Sequence, residues 1–312
     1  MTEKINEIPP DGILLIDKEK GRSSFDSVRM VRRLLKCKKT GHAGTLDPFA
    51  TGLLILLLGQ GTKLSPYIMG GRKKYRAEIR LGIETDTYDS TGLITKEMAV
   101  PELGEDRIHT EIAGFKGVIE QVPPAFSALK VNGERAYKLA RRGMDVELKK
   151  REVTVYSIDV IDIRLPLITV DVICSAGTYI RSLALDIGKR LDTVAHLQDL
   201  RRISSGGFNV DDAIVLNNTD SIDQKGLLER VIPLAGALPE MMSVSIDNYL
   251  AKRIRNGYRP LWNELDADNE LSSVEQGNIK LMAGSDLVAV LDIDTAMINR
   301  YGWIKKIKVF NY

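Results

Sequence analysis

A glycine-rich segment around a single aspartate is the part of the chain whose residue types best suit chemistry. Asp47 precedes Pro48, which biases the aspartate toward extended backbone conformations. Glycines within residues 41–52 permit turns and a close approach to another molecule. The apolar run at residues 53–58 follows at once and predicts a strand buried on both faces, which would hold the loop rigidly. On residue types alone, a catalytic carboxylate and an ordinary Asp-Pro turn both stay open.

The elements that would position this loop are predicted from the spacing of apolar residues. Further strands are expected at residues 12–17, 75–81, 153–163 and 167–174, the last two forming a hairpin. One helix is expected at residues 178–191. Another begins at Ser23 or Ser24 and runs to about Leu35, with its apolar face formed by Phe25, Val28, Val31 and Leu35.

The remaining segments indicate an insertion and a second, smaller domain. Residues 123–150 are mixed and basic, and they predict a mobile flap outside the sheet. Pro233 and Pro239 bracket a predicted linker. From residue 243 onward, short apolar segments predict a small, separate β-rich domain with strands at residues 280–282, 287–291 and 303–310.

Composition narrows the class of protein. Of the 312 residues, 44% are hydrophobic and 28% are charged, enough to bury an ordinary core. No stretch is long and apolar enough to span a bilayer, and the polar N-terminus carries no export signal. Two cysteines and three histidines argue against a disulfide framework and against a structural zinc site. We therefore expect a cytoplasmic protein without a bound metal.

Basic residues gather in seven clusters, although the net charge is only +2. Each cluster alone is more often a solvated surface than a binding site. Together they are compatible with a surface that follows nucleic-acid phosphates. The clusters are Arg32 and Arg33; residues 36–39; residues 72–74; Arg141 and Arg142; residues 149–151; Arg201 and Arg202; and Lys305 and Lys306.

Six sequence blocks occur in a fixed order between residues 12 and 208. They are residues 17–24, 41–54, 74–76, 121–130, 177–183 and 200–208. In content and order, these blocks resemble the motifs of TruB-type pseudouridine synthases. Two positions depart from that pattern, because Glu19 stands where proline is usual and Phe126 where tyrosine is frequent. Neither position carries the reaction.

The resemblance implies a fold, a domain division and an activity. The fold is a pseudouridine synthase fold of the α+β class, with a central mixed, mostly antiparallel β-sheet flanked by helices. Residues 1–238 would form the catalytic domain, with a flexible RNA-binding insertion at about 123–152. Residues 239–312 would form a small C-terminal β-rich, PUA-like RNA-binding domain. The implied reaction isomerises the T-loop uridine of tRNA (uridine-55 in tRNA numbering) by base flipping, without a cofactor.

The resemblance also assigns roles to individual residues. Asp47 is the expected nucleophile, Arg181 orients it and keeps it ionised, and Tyr75 stacks on the uracil and is a candidate general base. For Tyr75 and Leu200, packing in the core is the competing interpretation. Further substrate contacts are expected from His42, Tyr179 and Leu200. Contacts to the RNA backbone are expected from Lys18, Arg141, Arg142, Lys149, Lys150, Arg151, Arg201 and Arg202.

The expected partner is the T stem-loop of tRNA. A stand-alone bacterial-type enzyme is expected to act as a monomer, with no obligatory protein partner. One alternative is a non-catalytic tRNA-binding or tRNA-folding chaperone that uses the same surface. A carboxylate-dependent glycoside hydrolase is a weaker alternative, because the loop of Asp47 shows no second carboxylate.

Overall fold

The computed structural model describes residues 10–127, 129–131, 133–144, 148–216, 224–265, 276–294, 296 and 303–311. The helices in this part of the chain are α1 Ser24–Leu34, α2 Ser65–Met69, α3 Glu105–Ala113, α4 Ala136–Arg141, α5 Ile180–Arg190, α6 Gln224–Glu229, α7 Asn248–Arg255 and α8 Trp262–Leu265. The strands of the first half are β1 Gly12–Lys18, β2 Thr40–His42, β3 Thr51–Leu58, β4 Lys73–Leu81, β5 Ile83–Thr85, β6 Ile94–Glu97, β7 Gly117–Gln121, β8 Lys130–Val131 and β9 Glu134–Arg135. Those of the second half are β10 Arg151–Arg164, β11 Leu167–Cys174, β12 Ala195–Ser205, β13 Phe208–Asn209, β14 Ile214–Val215, β15 Ile232–Pro233, β16 Ser243–Ser245, β17 Gln276–Ala283, β18 Asp286–Asp294 and β19 Ile304–Val309.

One large mixed sheet forms the body of the protein. Its strands run in the order β14-β1-β3-β12-β4-β11-β10-β7, with β2, β13 and β15 paired along its sides. Most neighbours are antiparallel, whereas β3 with β12 and β1 with β14 are parallel. The predicted α+β class and mostly antiparallel sheet are therefore confirmed. The predicted hairpin is present as β10 and β11.

The apolar run of β3 lies between two hydrophobic cores, as its continuous hydrophobicity predicts. Leu54, Leu56 and Leu58 enter one core, and residues 53, 55 and 57 enter the other. The first core also receives α1, whose N-cap is Ser23. The prediction that Phe25 is buried is wrong. This side chain lies in the first turn of α1, is 58% exposed and packs against the Arg29 guanidinium.

β12 is the main element that sequence periodicity missed. It lies between β3 and β4 near the centre of the sheet. Its central residues are two arginines and an aspartate among apolar residues, a composition that does not alternate as a half-buried strand does. Tertiary pairing overrides this weak local signal.

The C-terminal part is β-rich, as predicted, and forms a sheet in the order β16-β17-β18-β19. It is not separated from the body, because Leu287, Val290 and Phe310 belong to the same core as Ile13 of β1. The predicted linker between Pro233 and Pro239 is wrong. β15 pairs with β1 there, and the apolar residues that follow, Leu234, Ala237 and Leu238, are buried.

The described residues of the insertion form a small structure of their own. β8 and β9 make a short hairpin that leads into α4. Backbone bonds join Ala136 to Leu129 and Tyr137 to Ser127 at its base. Residues 128, 132 and 145–147 of the predicted flap lie outside the described residues. Among the helices described here, none is long and apolar enough to cross a membrane.

The shared core predicts that the C-terminal sheet stabilises the body. Phe310 is fully buried, so Phe310→Ala should lower the free energy of unfolding by about 3–5 kcal/mol. Urea unfolding followed by fluorescence and circular dichroism should show a single shifted transition. Leu93→Ala, at a side chain that is 77% exposed, is the control and should change little. Two transitions, with only the smaller one shifted, would show that the sheets are independent.

Candidate active site

The loop of Asp47 is held by the turn and helix start that precede it in the chain. The buried Ser24 hydroxyl donates to the carbonyl of Leu46 (3.0 Å) and accepts from its amide (2.8 Å). The Gly21 amide donates to the carbonyl of Pro48 at 2.7 Å. Asp47 is therefore fixed on both sides before any substrate arrives.

Two of the predicted RNA-backbone residues lie inside the protein instead. Lys18 and Arg202 are each 1% exposed. The Lys18 ammonium donates to the carbonyls of Glu19 (2.9 Å), Arg22 (2.7 Å) and Pro48 (3.3 Å). Burial lowers the pKa of Lys18 to about 8. Neither side chain has surface with which to contact a phosphate, so the predicted RNA-backbone role does not fit them.

Arg202 joins the loop of Asp47 to the sheet. Its guanidinium donates to the carbonyls of Leu53 (2.6 Å) and Gly44 (3.1 Å). Its backbone lies so close to Gly52, which has φ +98°, that a Cβ there would collide with it. The glycine and the buried arginine therefore act together to place the end of the loop against β12.

Arg181 brings its guanidinium to Asp47, as the resemblance implies. It lies in the first turn of α5, and its Nε is 3.0 Å from the Asp47 Oδ2. Its Nη1 donates to the carbonyl of Thr87 (3.0 Å) and its Nη2 to that of Phe126 (2.9 Å). Because Phe126 contributes a backbone carbonyl, the departure from tyrosine at that position leaves this contact intact. The side chain of Arg181 is 7% exposed, whereas that of Asp47 is 35% exposed and can meet a substrate.

Asp89 is a site residue that sequence reasoning missed. Its Oδ2 lies 3.3 Å from Nη1 of Arg181, and its side chain is 5% exposed. Its Oδ1 accepts from the Thr87 hydroxyl (2.8 Å), the Thr91 hydroxyl (2.6 Å) and the Thr91 amide (3.0 Å). Threonines two residues before and after an aspartate are typical of a surface turn, so the sequence of residues 87–91 indicates a turn and not a buried site. Only the fold brings it behind Arg181.

The charges around Asp47 oppose one another. Burial raises the pKa of Asp47, and the Asp89 carboxylate adds to the rise, whereas Arg181 and Lys18 lower it. The expected effect of Arg181 therefore has the right sign but is outweighed by burial. About a third of the Asp47 side chain meets solvent (35%), and the rest is enclosed by the protein. Arg181 makes ionisation of this carboxyl less costly.

Tyr75 and Leu200 lie together in the core beneath the loop. They are 8% and 7% exposed and belong to the same hydrophobic cluster as Leu46. Burial raises the pKa of Tyr75, while Arg202, its direct neighbour across β4 and β12, opposes the rise. The phenol of Tyr75 is therefore neutral near pH 7. Both interpretations of these residues, packing and substrate contact, are compatible with this position.

His42 and Tyr179 flank the site. Burial, assisted by Arg202, lowers the pKa of His42, so its imidazole is neutral. Its buried Nδ1 has no hydrogen-bond partner among the residues that the structure describes. Tyr179 is the N-cap of α5, and its backbone amide and carbonyl are both bound by the side chain of Gln121, at 3.0 and 3.3 Å. Gln121 is 1% exposed and fixes the start of the helix that carries Arg181.

The other predicted RNA-backbone residues lie at or near the surface. Arg201 forms a two-point ion pair with Asp17 (2.9 and 2.7 Å) and is 39% exposed. The remaining contacts pair Arg142 with Glu134, Lys150 with Glu120, Arg141 with Tyr137, and Arg151 with Tyr179, whereas Lys149 is exposed.

In the described ranges, no group of three or more His, Cys, Asp or Glu side chains could hold a metal ion.

Comparison with known families identifies the family to which this chain belongs. The family model described as TruB family pseudouridylate synthase (N terminal domain) matches residues 32–180. The model described as tRNA pseudouridylate synthase B C-terminal domain matches residues 181–238. The chain belongs to the TruB family. As a TruB-family member it is a pseudouridine synthase, an isomerase, and the resemblance of its six sequence blocks is confirmed.

Similar proteins support the assignment to the TruB family, because they match this chain over most of its length. A Clostridium kluyveri protein named tRNA pseudouridine synthase B is 47% identical over 247 residues, covering 79% of this chain and 84% of the relative. A Geobacter sulfurreducens protein of the same name is 41% identical over 283 residues, covering 90% and 93%. A crystal structure of a Cbf5-Nop10-Gar1 complex has the same fold, with a TM-score of 0.73, 24% identity and coverage of 96% of this chain and 84% of the other.

The opposed charges at Asp47 predict a pH dependence. A carboxyl whose pKa is raised loses its ionised form at a higher pH than usual as the solution is acidified. The rate of a single turnover at saturating RNA should therefore fall on the acid side with a midpoint above the ordinary aspartate value of 3.8. Arg181→Gln should move that midpoint to higher pH and lower the plateau, because only Lys18 then opposes the effects of burial and Asp89.

Arg190→Gln is the matched control for this profile. Arg190 lies on the same helix but pairs with Glu111 at the surface (2.9 Å), so its removal should leave the midpoint in place. A midpoint that is the same in wild type and Arg181→Gln would contradict the assigned electrostatics.

Proposed function

We propose that this chain converts the T-loop uridine of tRNA, uridine-55, to pseudouridine by flipping the base into the cleft at Asp47. The observation that carries the proposal is the contact of Arg181 with Asp47 at 3.0 Å, with Asp47 the more exposed partner. The curated relatives named tRNA pseudouridine synthase B support tRNA as the substrate. Base flipping costs a few kcal/mol, which contacts inside the cleft must offset.

The reaction needs no redox change and no group donor. The N1–C1′ bond breaks, the uracil turns, and a C5–C1′ bond forms; C5 then loses a proton and N1 gains one. Asp47 is the nucleophile in this scheme, in the manner of the carboxylate of a retaining glycosidase. Attack at C1′ and attack on the uracil ring both need the ionised carboxylate, as does support of a glycal route. Arg181 favours that ionised form and fixes its orientation.

The neighbouring residues would hold the flipped uridine. Tyr75 would stack on the uracil, and its neutral hydroxyl would assist removal of the C5 proton. Tyr179 and Leu200 would complete the pocket, and His42 would contact the RNA beside it. The neutral imidazole of His42, with its unpartnered Nδ1 in the described structure, suits a hydrogen bond to RNA.

The RNA outside the cleft would be held by the surface cations. Arg141 and Arg142 lie at the end of α4 and Lys149 and Lys150 just before β10, where the insertion would close over the T stem-loop, with Arg151 and Arg201 nearer the cleft. The C-terminal sheet would act as the PUA-like RNA-binding part. In this proposal the enzyme works in the cytoplasm as a monomer, without a protein partner.

Asp47→Asn tests both the activity and the nucleophile. With unmodified tRNA transcript, wild type should form pseudouridine at one T-loop position, whereas Asp47→Asn should form none because an amide cannot act as the nucleophile. The variant should still bind the RNA within a few-fold of wild type, as measured by filter binding. Asp162→Asn, at an exposed ion pair with Arg164, is the matched control and should be active.

Two results would contradict the proposal. Product formation by Asp47→Asn at the wild-type rate would remove the aspartate from its role. Restoration of misfolded tRNA by wild type without any pseudouridine formed would favour the non-catalytic chaperone instead.

A further inference from the structure

We propose that a basic groove at the end of α1 binds the phosphodiester backbone of the substrate RNA outside the catalytic cleft. The groove encloses about 310 Å³ and is lined by Arg29, Arg32, Arg33, Lys36 and Lys38. It shares no side chain with the site of Asp47. This inference rests on the proposed function for the identity of the RNA, and its test separates the two.

The helix dictates that these cations converge. Arg29, Arg32 and Arg33 are three and four residues apart, so their side chains emerge on one side of α1. The other side is buried in the core through Val28, Val31 and Leu35.

The turn after α1 completes the groove. Lys36 has φ +49° and ends the helix. Cys37 is buried, and its carbonyl accepts from the Thr40 hydroxyl at 2.8 Å, which fixes the turn. Lys38 is thereby held on the exposed side, facing the same depression.

Four of the five cations form no ion pair with an acidic side chain of the described residues. Arg29 pairs with Asp26, but Arg32, Arg33, Lys36 and Lys38 form no ion pair within the described residues. A helix C-terminus favours positive charge in its last turn, which accounts for one or two of them. Five like charges on one concave surface repel one another, and among the ion pairs of the described residues only that of Asp26 with Arg29 offsets them. An extended polyanion would relieve it along the whole groove.

The chemistry of the side chains favours phosphates. Three of the five are arginines, whose guanidinium groups bind phosphate oxygens in pairs. All five are exposed and are available to a large ligand without rearrangement of the core. The residues that line the groove are all cations, without an aromatic ring among them, so the groove suits contact with the sugar-phosphate backbone more than with single bases.

The groove is rigidly connected to the catalytic loop. Ser24, at the other end of α1, holds Leu46 beside Asp47. At 1.5 Å per residue, the end of α1 lies roughly 15 Å along the helix from Ser24. A phosphate bound here therefore belongs to RNA well outside the flipped nucleotide. The groove would fix the position of the RNA relative to Asp47 through a single helix.

The test removes three cations at once, in Arg32→Gln, Arg33→Gln and Lys36→Gln combined. Glutamine has nearly the same helix propensity, and the side chains are exposed, so the fold should be kept; a thermal unfolding curve checks this. Affinity for full-length tRNA and for an isolated T stem-loop hairpin is measured by filter binding over a range of salt concentrations. Turnover is measured with the same RNAs.

We expect the triple variant to bind full-length tRNA at least about tenfold more weakly near 0.1 M salt. The slope of log affinity against log salt should fall by about 2–3, because each lost phosphate contact contributes about 0.7–0.9. The half-saturating RNA concentration should change more than the maximal rate. Weakening with both RNAs would place the bound phosphates in the T stem, and weakening with full-length tRNA alone would place them in another arm. Either result supports the proposal that the groove binds RNA phosphates.

Two control variants make the result specific. Arg32→Lys with Arg33→Lys keeps the charge and should keep most of the salt slope. Lys96→Gln, Lys116→Gln and Lys225→Gln combined removes three exposed cations elsewhere and should leave the slope within experimental error. An unchanged affinity and slope in the triple α1 variant, or an equal loss in the Lys96 control, would overturn the proposal. Failure of wild type to modify tRNA would instead overturn the proposed function, whatever the groove does.

Discussion

The contact between Arg181 and Asp47 is the interaction on which the rest of the structure depends. Four separate parts of the chain meet to make it: the loop of Asp47, the first turn of α5, the turn of Asp89 and the carbonyl of Phe126. Because these partners hold the Arg181 guanidinium in place, any movement of the Asp47 carboxylate would break its contact with Arg181. The orientation of Asp47 is therefore set by the folded body before substrate binds, as the proposed role of Asp47 as nucleophile requires.

Burying this many charges close together is costly, and the structure offsets the cost in two ways. Arg181 stands between Asp47 and Asp89, so one cation serves two carboxylates. Lys18 and Arg202 are satisfied mainly by backbone carbonyls of the catalytic loop and its neighbours. Their positive charges act on Asp47, His42 and Tyr75 without forming an ion pair with Asp47. The loop is thus built by the same buried cations that set its electrostatics.

How much of this could be predicted from the sequence depends on how local the signal is. The strand after Asp47, the cap at Ser23 and the β10–β11 hairpin follow from short-range patterns, and they are present. The motif order led to Arg181. The sequence around Asp89 indicates only a turn, and the sequence of β12 indicates an irregular charged segment and not a strand. Lys18 and Arg202 resemble surface cations until the sheet encloses them. The features that the sequence did not predict are those that depend on contacts between distant parts of the chain.

The most direct test of this account is a double-mutant cycle on Arg181 and Asp89, with the rate of a single turnover at saturating RNA as the readout. If Asp89 acts by positioning Arg181 against Asp47, Asp89→Asn and Arg181→Lys should be strongly non-additive, with a coupling free energy of about 1–3 kcal/mol. The double variant should then be little slower than the slower single variant. Rate losses that simply multiply would show that Asp89 and Arg181 act independently, and would contradict the account.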